Sequence, residues 1–128
     1  MRVSTFMLAI NAEETSDGLL NIAGGGLADF VPKSLPADAG LFVVLILDLE
    51  PSDIGSHRLE FSLVEAHGKS IANFGRDFQV ALGTNTARVA LPLKIGFDAP
   101  GMFSFHLSLD NVKQGLTRPL TVHAPKKL

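Results

Sequence analysis

The chain has 128 residues, of which 46% are hydrophobic and 19% are charged, with a formal net charge of −2 at pH 7. This length and apolar content predict one folded domain, residues 1–128, and exclude a disordered chain. The weakly acidic balance excludes the basic surface of a nucleic-acid binder, and the lack of cysteine excludes disulfides, thiolate metal sites and cysteine nucleophiles.

Two apolar stretches were tested as targeting or membrane segments. Residues 6–10 form a run too short for the core of a signal peptide, and residues 40–47 fall well below the roughly 20 residues that a membrane helix needs. We therefore expect no membrane association. The absence of a signal peptide, together with the absence of cysteine, favours a cytoplasmic location.

The first half of the chain is predicted to contain strands at about 3–10, 19–23 and 41–47. The connection between the last two has room for a short edge strand at about 27–31, which would change the end of the domain at which some of the loops lie. The segment Leu41–Leu47 has no polar interruption. Both of its faces should therefore be covered, one by the core and one by another surface. This pattern indicates a central strand.

The second half of the chain shows alternation of apolar and polar residues. In Met102–Leu109, Phe and Leu side chains share one face and Ser104, His106 and Ser108 share the other. Pro92 predicts that the strand at 89–97 is an edge strand or contains a bulge. The remaining predicted strands lie at about 59–63, 74–82 and 116–123.

These elements predict an all-β domain, specifically a two-sheet antiparallel β-sandwich of about 7–9 strands with an immunoglobulin-like or Greek-key connection pattern. No segment has a sustained helical period. Gly, Pro and Asp residues mark the turns between the strands.

Three stretches together resemble a known family. They are DGLLNIAGG at 17–25, GSHRL at 55–59 leading to HGK at 67–69, and PGMFSF at 100–105 leading to Leu109 and Asp110. The chain resembles an uncharacterised family of small bacterial all-β domains of unknown function. The resemblance implies a sandwich and supplies no activity.

The four histidines do not form a recognisable catalytic pattern. His106 shares a predicted strand face with two serines, but a triad also needs an orienting acid and an oxyanion hole, and no Gly-x-Ser-x-Gly elbow is present. We therefore expect a protein that is not an enzyme and needs no cofactor. An enzyme built around His106 or His57 is the third hypothesis.

Acidic residues concentrate in connections that antiparallel strands would bring to one end of the sandwich. Carboxylates converging from several loops can bind a hard cation such as calcium, and the candidate ligands are Asp17, Asp48, Glu50, Asp53 and Asp110. Ordinary turn chemistry is the alternative, because Asp is common in tight turns. A cation- or small-ligand-binding domain is therefore the second functional hypothesis.

The long connection at 24–40 carries the apolar residues Leu27, Phe30, Val31 and Leu35. These residues either cover the sheet within the molecule or form an interface with another chain. The main hypothesis is accordingly a non-enzymatic β-sandwich that acts through protein contacts, either with a partner protein or by self-association, in an accessory or assembly role.

Overall fold

The computed structural model describes residues 1–126, and the last two residues of the predicted domain lie outside this range. The described residues form nine strands and one turn of 3-10 helix at Pro51–Asp53. The strands are β1 (Arg2–Glu14), β2 (Leu20–Gly25), β3 (Asp29–Phe30), β4 (Ala37–Asp48), β5 (Gly55–Glu65), β6 (Ser70–Val80), β7 (Thr86–Phe97), β8 (Gly101–Leu109) and β9 (Val112–Val122). None of the helical structure in residues 1–126 has the length and apolar content to cross a membrane.

The strands form two sheets with one core between them. The four-stranded sheet has the order β2-β1-β4-β7, and the five-stranded sheet has the order β3-β9-β8-β5-β6. One cluster of buried side chains contains residues of both sheets. Ring pairs join the sheets directly: the centroids of Phe6 and Phe61 are 5.8 Å apart, and those of Phe97 and Phe103 are 5.0 Å apart. The all-β, two-sheet prediction is confirmed.

The alternation seen in the sequence explains which side chains enter the core. In β8, Phe105, Leu107 and Leu109 are buried, while the intervening residues point to the outer face. In β4, Leu41, Val43, Leu45 and Leu47 enter the same core. The other row of β4 lies on the outside of the four-stranded sheet, and it is described with the candidate site.

The connectivity differs from a simple antiparallel meander. Strand β3 has two residues and pairs with β9 in a parallel sense, while the other strand pairs are antiparallel. Strand β4 lies beside β7, and β5, β8 and β9 are neighbours in the other sheet. In immunoglobulin sandwiches strand B lies beside strand E, and strands C, F and G are neighbours in the other sheet. The pair β4 and β7 corresponds to B and E, and β5, β8 and β9 correspond to C, F and G. The immunoglobulin-like classification stays a prediction.

Two of the four edge strands, one in each sheet, carry residues that oppose pairing with a further strand. Pro92, in the edge strand β7, removes one backbone donor, as its position in the sequence predicted. In the edge strand β6, the exposed Arg76 lies between Phe74 and Phe78 on the core-facing row. An inward-pointing charge on an edge strand makes close approach of another strand unfavourable.

Candidate functional site

The carboxylates predicted to bind a cation do not converge. Asp17 lies in the turn after β1, whereas Asp48 pairs with Arg2 at the opposite end of that 13-residue strand. Within residues 1–126, no group of three or more His, Asp or Glu side chains is arranged to hold a metal ion.

The additional strand β3 explains this separation. The sequence interpretation sorted the connections by alternating strand direction, without counting a strand between β2 and β4. With β3 present, β4 runs antiparallel to β1. The β1–β2 turn and the β4–β5 connection therefore lie at opposite ends of the four-stranded sheet.

The other four carboxylates belong to the same end but have separate neighbours. The carboxylate of Asp48 accepts a hydrogen bond from Arg2 Nη2 at 2.6 Å. Asp53 accepts one from the backbone N–H of Glu50 at 2.8 Å and lies 3.1 Å from the N-terminal ammonium of Met1. These contacts lower the pKa of Asp53, with the Glu50 N–H as the main cause. The carboxylates at this end stabilise turns and strand ends.

The predicted interface segment mainly covers the core. Leu27, Phe30 and Leu35 are half-buried and pack against the main cluster, and the Phe30 ring lies 6.1 Å from that of Phe97. Val31 is different because 55% of its surface is exposed. These contacts favour the interpretation in which the segment covers the core within the molecule.

A histidine bridge joins three connections at the acidic end. His57, at the start of β5, places Nδ1 2.6 Å from Asp110 Oδ2 and Nε2 2.5 Å from the carbonyl oxygen of Asp53. The other carboxylate oxygen of Asp110 accepts the backbone N–H of Arg58 at 2.8 Å. The Phe78 ring lies 5.5 Å from the imidazole, which is only 14% exposed. The bridge links the 3-10 turn, β5 and the β8–β9 turn.

Both nitrogens of His57 face acceptors, so the ring satisfies both only as the doubly protonated imidazolium. The hydrogen bond to Asp110 is the main cause that raises the pKa of His57, and the same bond lowers the pKa of Asp110. A general base needs a free nitrogen lone pair directed at a substrate. The His57–Asp110 pair has the composition of a catalytic dyad but the geometry of a structural clamp.

Arg58 organises the polar surface next to this clamp. Its guanidinium donates to Glu60 and to Asp77, each at 2.9 Å. The guanidinium lies over the backbone of Gly75, where a Cβ atom would collide with it. The glycine therefore gives Arg58 the room to lie flat across the sheet.

The Ser104 and His106 side chains do meet, with Oγ 3.0 Å from Nε2. Within residues 1–126, no carboxylate is hydrogen-bonded to His106. The pair therefore lacks the orienting acid of a triad.

The centre of the outer face of the four-stranded sheet is apolar, and the charged residues Asp38, Arg88 and Lys94 lie at its margin. Val44 stands opposite Met7 and Ala90, and the next row across the sheet contains Ala9 and Phe42. The cluster is called the apolar face, and its members are Met7, Ala9, Ala12, Leu20, Phe42, Val44 and Ala90.

Every member of the apolar face belongs to the four-stranded sheet, so no apolar side chain from a connection within residues 1–126 is part of the cluster. Val44 and Ala9 are fully buried by their neighbours, whereas Met7, Leu20 and Phe42 remain half-buried. The uninterrupted apolar run at 41–47 was the sequence signal for this face. Its partners on β1 and β7 required the strand register.

The fold and these surfaces define a two-sheet β-sandwich domain with one apolar and one polar outer face. The sequence pattern of a protein family, described as "Family of unknown function (DUF6941)", matches residues 4–123. The chain belongs to this family, which confirms the resemblance to an uncharacterised family of unknown function; the bacterial origin stays a prediction. No curated protein matches the chain.

Proposed function

We propose that this domain acts through protein contacts and that the apolar face is its contact surface. The observation that supports the proposal is the row Met7–Val44–Ala90 on the outside of the sheet, with half-buried Phe42 beside it. The outer face of an antiparallel sheet that meets water is ordinarily polar. An apolar outer face indicates a surface that another molecule covers.

The apolar face offers a partner a small set of side chains. Val44 and Ala9 are fully buried by their neighbours, whereas Met7, Leu20 and Phe42 are partly exposed. Contiguous apolar patches on the surface of soluble proteins are often functional. A partner would therefore contact the three larger, partly exposed side chains.

A second copy of the chain is the first partner to consider. Two apolar faces are complementary to each other, and two-fold dimers are the commonest oligomers. Two of the four edge strands are poor alternatives, because β7 contains Pro92 and β6 carries the inward Arg76. Face-to-face packing is therefore the first mode of self-association to test.

Light scattering coupled to size-exclusion chromatography tests this proposal. We expect a dimer for the wild-type protein and a monomer for Phe42→Glu, because a charge at the centre of the contact weakens association at least about ten-fold. The matched control is Met102→Glu, which places the same charge on the outer face of the other sheet, where Met102 is already 67% exposed. The control should remain dimeric.

Circular dichroism should show that both variants keep the β-sheet spectrum of the wild-type protein. A wild-type monomer at about 100 µM would contradict self-association through this face. Equal loss of the dimer in both variants would also contradict it, since the contact would then not lie on the four-stranded sheet.

A further inference from the structure

A concavity lies on the outer face of the five-stranded sheet, on the opposite side of the molecule from the apolar face. Its volume is about 610 Å³, which falls within the range of small-molecule sites. It is called the hydroxyl groove, and the residues that define it are Ser62, Asn73, His106, Ser108, Lys113 and Thr117.

A bulge in β9 helps to shape this groove. His106 stands opposite Thr117 and Ser108 opposite Lys113, so the three residues 114–116 face the single residue Leu107. Gly115 adopts a positive φ of 68° at this point. Bulges bend a strand and redirect its side chains, and both Lys113 and Thr117 beside this bulge line the groove.

The groove has a distinctive charge in a protein whose net charge is negative. Its lining contains Lys113 and no carboxylate. Within residues 1–126, the Lys113 ammonium makes no ion pair. The nearest acid along the same row of β5 is Glu60. Its negative charge is paired with the guanidinium of Arg58.

The polar side chains of the groove are arranged to donate hydrogen bonds. The amide oxygen of Asn73 accepts hydroxyl protons from Ser62 at 2.7 Å and from Ser70 at 3.3 Å. The amide nitrogen of Asn73, with two protons, is left to donate elsewhere. When the Ser104 hydroxyl donates to His106 Nε2, the ring proton lies on Nδ1 and forms a further donor.

We propose that the hydroxyl groove binds the phosphate group of a small molecule, with Lys113 as the counter-charge and Asn73 and His106 as hydrogen-bond donors. A phosphate has several acceptor oxygens and suits a site rich in donors and free of carboxylates. A neutral sugar is the competing ligand chemistry, but the groove has no aromatic platform for stacking a sugar ring.

Titration of isotopically labelled protein with sodium pyrophosphate, followed by NMR, tests this assignment. We expect saturable shifts of the Asn73 side-chain amide and of the Gly115 and Thr117 backbone amides. In Lys113→Gln the dissociation constant should rise about five-fold or more, because the charge-assisted contact is lost. The matched control is Lys94→Gln, an exposed lysine of the other sheet, which should bind as the wild type does.

Three results would overturn the assignment. Shifts that do not saturate, or an equal loss in both lysine variants, would indicate general screening of charge. Sucrose producing the same shifts would indicate recognition of hydroxyl groups without phosphate.

Vesicles of phosphatidylcholine with phosphatidic acid present the same phosphate group on a lipid. Co-sedimentation that Lys113→Gln abolishes would support phosphate recognition with a lipid headgroup as its source.

Discussion

The outer faces of the two sheets differ in chemistry although their backbones are alike. The central row across the four-stranded sheet reads Met7–Val44–Ala90. The corresponding row across the five-stranded sheet reads Asn73–Ser62–His106–Thr117. Both sheets contribute to one core, so the core does not require this difference. It indicates that the two faces meet different surroundings.

The largest expected effect comes from placing the same charge at the centre of each face. Val44→Asp puts a carboxylate at a fully buried position, and it should lower the free energy of unfolding by about 3 kcal/mol or more. The matched variant Ser62→Asp removes one hydroxyl contact to Asn73, at a cost of about 1 kcal/mol or less. Urea unfolding of both variants measures the difference.

An equal loss of unfolding free energy in Val44→Asp and Ser62→Asp would contradict the difference between the two faces, because both would then tolerate charge alike. A loss confined to Ser62→Asp would mean that the polar face is the one that excludes charge.

The second prediction concerns the histidine clamp at the margin of the polar face. His57→Gln removes charge-assisted hydrogen bonds from a ring that is largely buried, so unfolding should require about 1–3 kcal/mol less. The contribution should depend on pH, because the folded state raises the pKa of His57 from 6.5 and lowers that of Asp110 from 3.8.

The signs of the two shifts define the pH window. A raised histidine pKa gives stability that is complete below pH 6.5 and is lost as the pH rises through the folded value. A lowered aspartate pKa gives stability that is present above pH 3.8 and is lost as the pH falls through the folded value. The difference between wild type and His57→Gln should therefore be largest between about pH 4 and pH 6.5 and should shrink at alkaline pH.

Chemical denaturation at several pH values provides the measurement. His67→Gln is the matched control, since His67 lies exposed in the β5–β6 turn. A His57→Gln effect that is constant from acid to alkaline pH would show that packing against Phe78, and not the charged hydrogen bonds, is what His57 contributes.

The smallest effect is expected for the ion pairs on the polar face. Arg58 and Glu60 are each about half exposed, and Asp77 is more exposed than either. Arg58→Gln should shift the melting temperature by no more than about 2 °C, because exposed ion pairs contribute little to stability. The shift should disappear at high salt.

Gly75→Ala provides a second route to the same pairs, because its Cβ would displace the Arg58 guanidinium. Arg88→Gln on the other sheet is the control. A large, salt-independent loss in Arg58→Gln would mean that this face is held by more than surface charge.

Much of the fold could be predicted from the sequence because alternating apolar and polar residues mark the strands. Residues 102–109 fall on the two faces as their pattern requires, and Pro92 marks an edge strand. The two-residue strand β3 lies within the candidate edge strand at 27–31, which the sorting of the loops did not count, and it reverses the direction of the chain. That single reversal separated Asp17 from the acidic residues after β4.

The candidate sites were less accessible to sequence reasoning for a related reason. The His57–Asp110 pair joins residues 53 positions apart, and no local spacing indicates it. The hydroxyl groove depends on the register of β8 and β9, for which the local signs are the Asp110–Asn111 turn and Gly115. Contacts between distant strands depend on register, and a single sequence contains little information about register.

The protected edges of the sheets limit how many molecules can join. A strand that pairs edge to edge leaves a new free edge, so that mode of association can continue into a filament. Pro92 and the inward Arg76 oppose it at one edge of each sheet, on β7 and β6. A contact between two apolar faces covers that face in both molecules. Association through this face therefore ends at a dimer.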